Sequence, residues 1–357
     1  MRISKLLPLA VGIVLVLILT LPLSASAKAP AASSRTYNVL VGWENPYMGI
    51  DIMAYFPDNI TIHVGDTVHW LQNTNEIHTV TFLAGTEPAP LIIPAPPPGD
   101  PSPLVFNPVA VDPAVPADGL YDGTTYANSG LMGRDPGQAQ EFSLTFTTAG
   151  TYDYMCLVHG MMMTGEVVVV DGNIHIPSPN LAMARGIRQI AQKLAQVPGV
   201  MMAANMQVKP PEMNGDGTVT HHVMIGYSDG QIDLMRFFPK WLMVRPGDTV
   251  VWEMSAYNDA PHTVTFLNGA EDPGLVTVVP PLLYLNPEVF YPQQPGQPLT
   301  LEGIHSSGLM LPVPGTTYTL VIGDMASGIE EYSCLLHDSS GMEGTLIIVP
   351  GLRHMIL

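Results

Sequence analysis

Cysteine is nearly absent: there are two in 357 residues, too few for a disulfide framework. Charge is scarce too. Asp, Glu, Lys and Arg make up 12% of the chain, about half the ordinary share. The charge present is mostly of one sign. Thirteen Lys and Arg stand against 31 Asp and Glu, a formal net charge of -18. That shortage of cations excludes nucleic acid as a partner, because neutralising phosphates takes clustered Lys and Arg. Wholesale disorder is excluded by an apolar fraction of 46%. What is abundant is Pro (35), Gly (33) and Met (21). The length suits about two domains, each able to bury a core.

The N-terminus reads as an export signal. Arg2 and Lys5 precede an apolar run from Leu6 to Leu23, and Ala25-Ser26-Ala27 offers the small residues of a cleavage site. Residues 1–27 are therefore assigned to a signal peptide. The run is near the lower limit for spanning a bilayer, so an uncleaved anchor is the alternative, and only this segment would engage a membrane. No Cys follows the apolar run, which excludes a lipoprotein anchor. The segment holds two basic groups and no acid, so its removal leaves a still more acidic chain. The expected location is periplasmic, cell-surface or extracellular.

The rest of the chain is written twice. FPDNITIHVGDTVHW at 56–70 returns as FPKWLMVRPGDTVVW at 238–252. HTVTFL at 78–83 returns at 262–267, SGLM at 129–132 returns at 307–310, and CLVH at 156–159 returns as CLLH at 334–337. A period this long means whole domains rather than solenoid units. The expected organisation is a first domain over 36–171, a linker over 172–217 and a second domain over 218–350. Short alternating strands broken by Gly, Pro and Asp turns point to an all-β chain of two tandem Greek-key β-sandwiches. Two long Pro- and Gly-rich stretches, 84–140 and 268–313, read as decoration around a site entrance. Within the linker, Ile187, Ile190, Ala191 and Leu194 recur at helical spacing over 180–197, with Pro198-Gly199 as the stop. This helix is expected to pack on one domain.

Both cysteines occupy the same place in the repeat. Cys156 and Cys334 each end a strand, a His follows at the third position (His159, His337), and a short Met-containing loop leads into the next strand. Each copy also has a His opening its HTVTFL strand, His78 and His262. A thiolate, two imidazoles and a weak thioether make the trigonal site with an axial Met that suits copper of the blue type. Structural zinc takes four Cys or His ligands and rarely Met. The repetition of the pattern beside matching histidines argues against an interdomain disulfide.

On these residues each repeat resembles a cupredoxin domain of the plastocyanin/azurin type. The family pattern is a remote His after an Asn-containing loop, then C-x2-H, a short spacer and M-x-G. Asn258, Pro261, His262, Cys334, His337, Met342 and Gly344 match it closely. The first repeat supplies Asn75, His78, Cys156, His159 and Gly165, with a loop one residue shorter. Its axial residue is open among Met161, Met162 and Met163. Met163 is chosen because it leads Thr164-Gly165 as Met342 leads Glu343-Gly344. The resemblance implies two type 1 copper ions and one-electron transfer. It also implies that His159 and His337 are the ligands nearest solvent, where electrons would be exchanged.

The expected partner is a redox protein, donor or acceptor, with a basic surface to meet the acidic chain. Two other functions are weighed. A copper storage or delivery protein would use the surplus Met as Cu(I) sites, although Met also simply fills cores. A two-domain copper oxidoreductase would need a further centre, commonly flagged by H-x-H pairs or by His flanking the Cys, and the chain has neither. An electron carrier rather than an enzyme is the expectation. His63 and His69 have no counterparts in the second repeat, and with His175, His221, His222, His305 and His354 they are read as structural or exposed.

Overall fold

A computed structural model describes residues 34–97, 101–134 and 138–349. The signal segment and His354 lie outside these residues. The chain is dominated by strands whose burial alternates with period two. Glu141–Phe146 and Thr249–Met254 each bury every second side chain, as expected of strands with one face on a core.

Each repeat contributes one five-stranded sheet. The first runs, in spatial order, Asn59–His63, Gly160–Val170, Gly150–Cys156, Thr81–Phe82, Ala127–Asn128. The second runs Trp241–Val244, Glu343–Ile348, Gly328–Ser333, Thr265–Phe266, His305–Ser306. Both pack against a sheet that the repeats share. Its path begins Thr317–Val321, Thr249–Met254, Val219–Asp229, Ile232–Phe238. It continues Ile50–Phe56, Thr36–Asn45, Thr67–Gln72, Glu141–Phe146, Leu120–Tyr121. Trp70 and Trp252, equivalent in the two repeats, are fully buried at the centres of the sandwiches. Each meets a Tyr edge-on, Tyr154 at 5.3 Å and Tyr332 at 5.4 Å between ring centroids, a favoured arrangement for buried rings.

The seam of the shared sheet is symmetric. Ile50 pairs with Leu234, Asp51 with Asp233 and Ile52 with Ile232. Ile50 thus meets the counterpart of Ile52, Ile52 meets the counterpart of Ile50, and Asp51 meets its own counterpart, which is the signature of a two-fold, self-complementary interface. The repeats are therefore fused through a continuous ladder as well as joined by the linker. Asp51 and Asp233 sit on this axis, buried and without a hydrogen-bond partner.

The linker differs from expectation at its far end. The helix Pro179–Leu194 is capped by the Ser178 side chain and buries Ile190 against Ile52, Ala54 and Phe56 of the first repeat. Pro198 does not stop the helical course. It stands in the first turn of a second helix, Val197–Asn205, where a missing N–H is harmless. That helix packs Val200 and Ala204 on the second repeat's Ile232, Leu234 and Phe238. The long stretches also pair with one another. Val276–Val279, Leu282–Leu285, Leu104–Phe106 and Ile92–Pro94 form a four-stranded sheet containing strands from both repeats. No helix among the described residues is long and apolar enough to cross a membrane.

Candidate metal centres

Sheet geometry brings Cys156, His159 and His78 together. Cys156 ends the strand Gly150–Cys156, and His159 lies in the tight turn before Gly160–Val170. His78 is held by a two-way backbone bridge to Met132. The second repeat repeats the plan: Cys334 and His337 occupy one turn, and His262 is bridged to Met310. Both cysteines are free and buried.

In each repeat three donor atoms converge. In the first, His78 Nδ1 and His159 Nδ1 are 3.2 Å apart, and Cys156 Sγ lies 3.4 Å from His159 Nδ1 and 4.0 Å from His78 Nδ1. In the second the corresponding distances are 3.1, 3.4 and 3.6 Å. An ion at the centre of such a triangle, with ordinary metal–nitrogen and metal–sulfur bonds, needs donors roughly 3.6 Å apart. The two triangles fit that requirement.

The distal nitrogens explain why every Nδ1 faces inward. The Thr74 hydroxyl donates to the Glu76 carbonyl, so it is left to accept from His78 Nε2 at 3.1 Å. The Asn258 amide donates to the Ala260 carbonyl, so its oxygen accepts from His262 Nε2 at 3.2 Å. Each ring is thereby held in the tautomer whose Nδ1 lone pair is free, the usual task of a metal site's outer partners. Asn75, expected to be the counterpart of Asn258, does something else. Thr74 takes that place, and Asn75 donates to the Ser339 carbonyl in the other repeat at 3.2 Å. Gly42 and Gly226, both with positive φ, make room for the rings: a Cβ there would stand 2.8 Å from His78 Nε2 or 2.7 Å from His262 Nε2. The sulfurs are supported as well, by the backbone N–H of Thr79 on Cys156 at 3.4 Å and of Thr263 on Cys334 at 3.3 Å.

Met163 and Met342 are fully buried, whereas Met161 is 79% exposed. The Met342 main chain is tied into its turn, its carbonyl accepting from Cys334 N–H and its N–H donating to His337 O.

The electrostatics favour an ionised sulfur. Burial pushes the Cys156 thiol up, but His159 and His78 outweigh it and hold it well below the usual thiol range. Burial likewise lowers His159, and Cys156 with Glu76 overcomes this and raises it. His337 is lifted to about 9 despite burial, by Cys334 and Glu76. His262 is pushed well below the ordinary imidazole value by burial and by His337.

His159 and His337 are the more exposed imidazoles of their triangles, as expected, since His78 and His262 are fully buried, but neither stands open to solvent. The His159 side chain is 9% exposed and that of His337 6%. The two turns face each other across the seam, and both rings are covered. Between them stands Glu76, which the sequence reading passed over. Its Oε1 is 3.5 Å from His159 Nε2, and its Oε2 is 3.7 Å from His337 Nε2. Burial alone would raise its carboxyl, yet His337 and His159 bring it down to about 2. The available signal was an acid two residues before the remote His of one repeat, where the other repeat has Ala260.

Residues 46–170 match the family described as copper binding proteins, plastocyanin/azurin family. The amicyanin of Paracoccus denitrificans is 29% identical over 117 residues, which cover 33% of this chain and 59% of that protein. The chain thus spans about three-fifths of that relative's length. Among solved structures, a methionine-to-alanine variant of amicyanin in its Cu(I) form is 26% identical, with 39% of this chain and 86% of that one covered and a TM-score of 0.23. A methionine-to-glutamine variant of amicyanin in the Cu(I) state is likewise 26% identical, covering 40% and 88%, also at 0.23.

Proposed function

Because residues 46–170 make this chain a member of the plastocyanin/azurin family of copper-binding proteins, we propose that it is an exported blue copper protein carrying single electrons at two mononuclear type 1 centres. The centres lie in the repeats over 36–171 and 218–350. The observation that carries this reading is the pair of similar Nδ1–Nδ1–Sγ triangles, one in each repeat. Copper bound there supplies a one-electron couple, and soft sulfur with imidazole suits both of its oxidation states. His78, Cys156 and His159 hold one ion, and His262, Cys334 and His337 hold the other. Met163 and Met342, both buried, would supply the weak thioether of each site. Thr79 and Thr263 place an N–H on each sulfur, which tunes the site. Five of the six residues are buried and His159 is partly so, which limits access of water to both triangles. The chain acts as a carrier, not an enzyme. Its partner is a redox protein with a basic docking surface, and the N-terminal signal takes it out of the cytoplasm.

The test is the visible spectrum and copper content of the Cu(II)-loaded protein, with Cys156→Ser and Cys334→Ser variants. The expected result is two coppers per chain. It includes an intense sulfur-to-copper band, roughly halved by either substitution and lost in the double variant. Absence of the band in the unsubstituted protein refutes the blue copper reading. Several weakly held Cu(I) ions per chain would instead indicate storage.

A further inference from the structure

We infer that Glu76 couples the two centres: one carboxylate, carried by the first repeat, contacts the distal nitrogen of the metal-facing turn histidine in both repeats, so that charge at one centre sets the potential of the other. The inference rests on both triangles binding copper, as proposed above.

Three observations carry it. The first is that a single side chain spans the gap, with one oxygen 3.5 Å from His159 Nε2 and the other 3.7 Å from His337 Nε2. Each of these rings presents its Nδ1 to its own cysteine, at 3.4 Å in both repeats. An ion on Nδ1 and the carboxylate at Nε2 therefore share one imidazole, the arrangement through which outer partners tune a centre.

The second is that Glu76 is buried, where a carboxylate is costly unless paired and its field is weakly screened. Its place is built rather than accidental. The Glu76 carbonyl accepts from Gln72 Nε2 and from the Thr74 hydroxyl, and neighbouring Asn75 reaches across to Ser339.

The third is that the bridge breaks the two-fold symmetry. The equivalent position in the second repeat is Ala260, itself buried. A second glutamate there would press two carboxylates together at the axis. One acid and one alanine let a single charge serve both rings. Asp51 and Asp233 also lie on the axis and feel the charge of these histidines, but of the three acids only Glu76 stands within 4 Å of both distal nitrogens.

The chemistry is a difference in charge, with no bond to Glu76 made or broken. A chemical mediator gives one electron to one centre, which loses one unit of positive charge. Its histidine then holds the carboxylate less firmly, so the carboxylate moves toward the histidine of the remaining centre and favours that centre's oxidised form. The second reduction is therefore harder than the first.

The experiment is spectroelectrochemical titration of copper-loaded protein. In the Cys156→Ser background the second repeat holds the blue centre. There Glu76→Gln should shift the reduction equilibrium about tenfold toward Cu(I), about 59 mV for one electron, although the substituted residue belongs to the other repeat. The same shift is expected at the first centre in the Cys334→Ser background. With both centres present, the two reductions should draw together in Glu76→Gln. A shift confined to the first repeat's centre, or absent from both, overturns the inference. Glu76→Asp keeps the charge but is one methylene too short to reach both rings, so it should move the two potentials apart. Equal potentials in that variant count against the bridge. If the unsubstituted protein shows no blue band, the copper reading fails separately. The contact is then read by ring-nitrogen NMR of the metal-free protein, where Glu76→Gln should move the Nε2 signals of both His159 and His337. Movement of one signal or neither overturns it.

Discussion

Replacing Asp233 by asparagine should make the metal-free protein more stable at pH 7.5 than at pH 4 relative to the unsubstituted chain. Asp233 lies on the two-fold seam opposite Asp51, buried, with neither oxygen in hydrogen-bond reach of a partner. Burial raises its carboxyl to about 6, an effect only partly offset by the polar Ser228 nearby and by the charge of His159. An unfolded aspartate titrates near 3.9. The folded chain thus binds the extra proton between about pH 4 and 6, and stability falls as pH rises through that window. Two pKa units correspond to about 3 kcal/mol. This penalty is absent below pH 4, fully developed above pH 6 and absent at any pH from the asparagine variant. The new amide brings unpaired groups of its own, costing about 1–3 kcal/mol, but that cost does not depend on pH. The diagnostic is therefore the change in variant-minus-parent stability between the two pH values, measured by urea unfolding. A difference that stays constant across the range refutes the reasoning. Asp51, raised well above the usual carboxylate value by burial and by Glu76, faces the same site. Asp51→Asn should act in the same direction, and the pair should not be additive.

The supports of the rings give two further expectations. Gly42→Ala and Gly226→Ala each force a non-glycine residue to φ of +71° or +62° and drive a Cβ into a ligand ring. Each should cost at least about 1–2 kcal/mol of stability and weaken the blue band of its own centre. An unchanged melting curve with full copper content would refute this. Thr74→Val and Asn258→Leu remove the acceptors on His78 and His262. Each should lower copper affinity at its own centre about 10–100-fold, read by chelator competition in the single-centre cysteine variants, and an unaltered affinity counts against the outer-partner role.

The sequence disclosed whatever is encoded by spacing along one strand or within one turn. C-x2-H places a thiolate and an imidazole in a single turn, and the remote histidine opens a strand with its own repeated signature. The alternating strands are local too. What it hid depends on how the copies meet. No pattern within Ile50–Phe56 or Ile232–Phe238 announces that these strands pair with each other. Without that seam, His159 and His337 look like exposed tips rather than covered neighbours. Glu76 was hidden for the same reason: as a solvated loop acid it needs no explanation, and its role exists only once two turns close on it. Pro198 failed differently. A proline ends one helix and suits the first turn of the next equally well, and only the apolar contacts of Val200 and Ala204 decide between the two.

The inserted stretches bear on how the centres stay enclosed. Val105 of the first repeat pairs with Tyr284 of the second, so the four-stranded sheet ties the repeats together at a second place. Beneath it Phe106, Ala110 and Leu285 pack with Met155 and Leu157, the two residues that flank Cys156. The first centre therefore has the seam and Glu76 on its histidine side and this apolar cluster beside its sulfur. Removing the sheet would expose Met155 and Leu157 to water and loosen the strand end that carries the thiolate. The long stretches act as cover and cross-brace, and their Pro and Gly content fits that use.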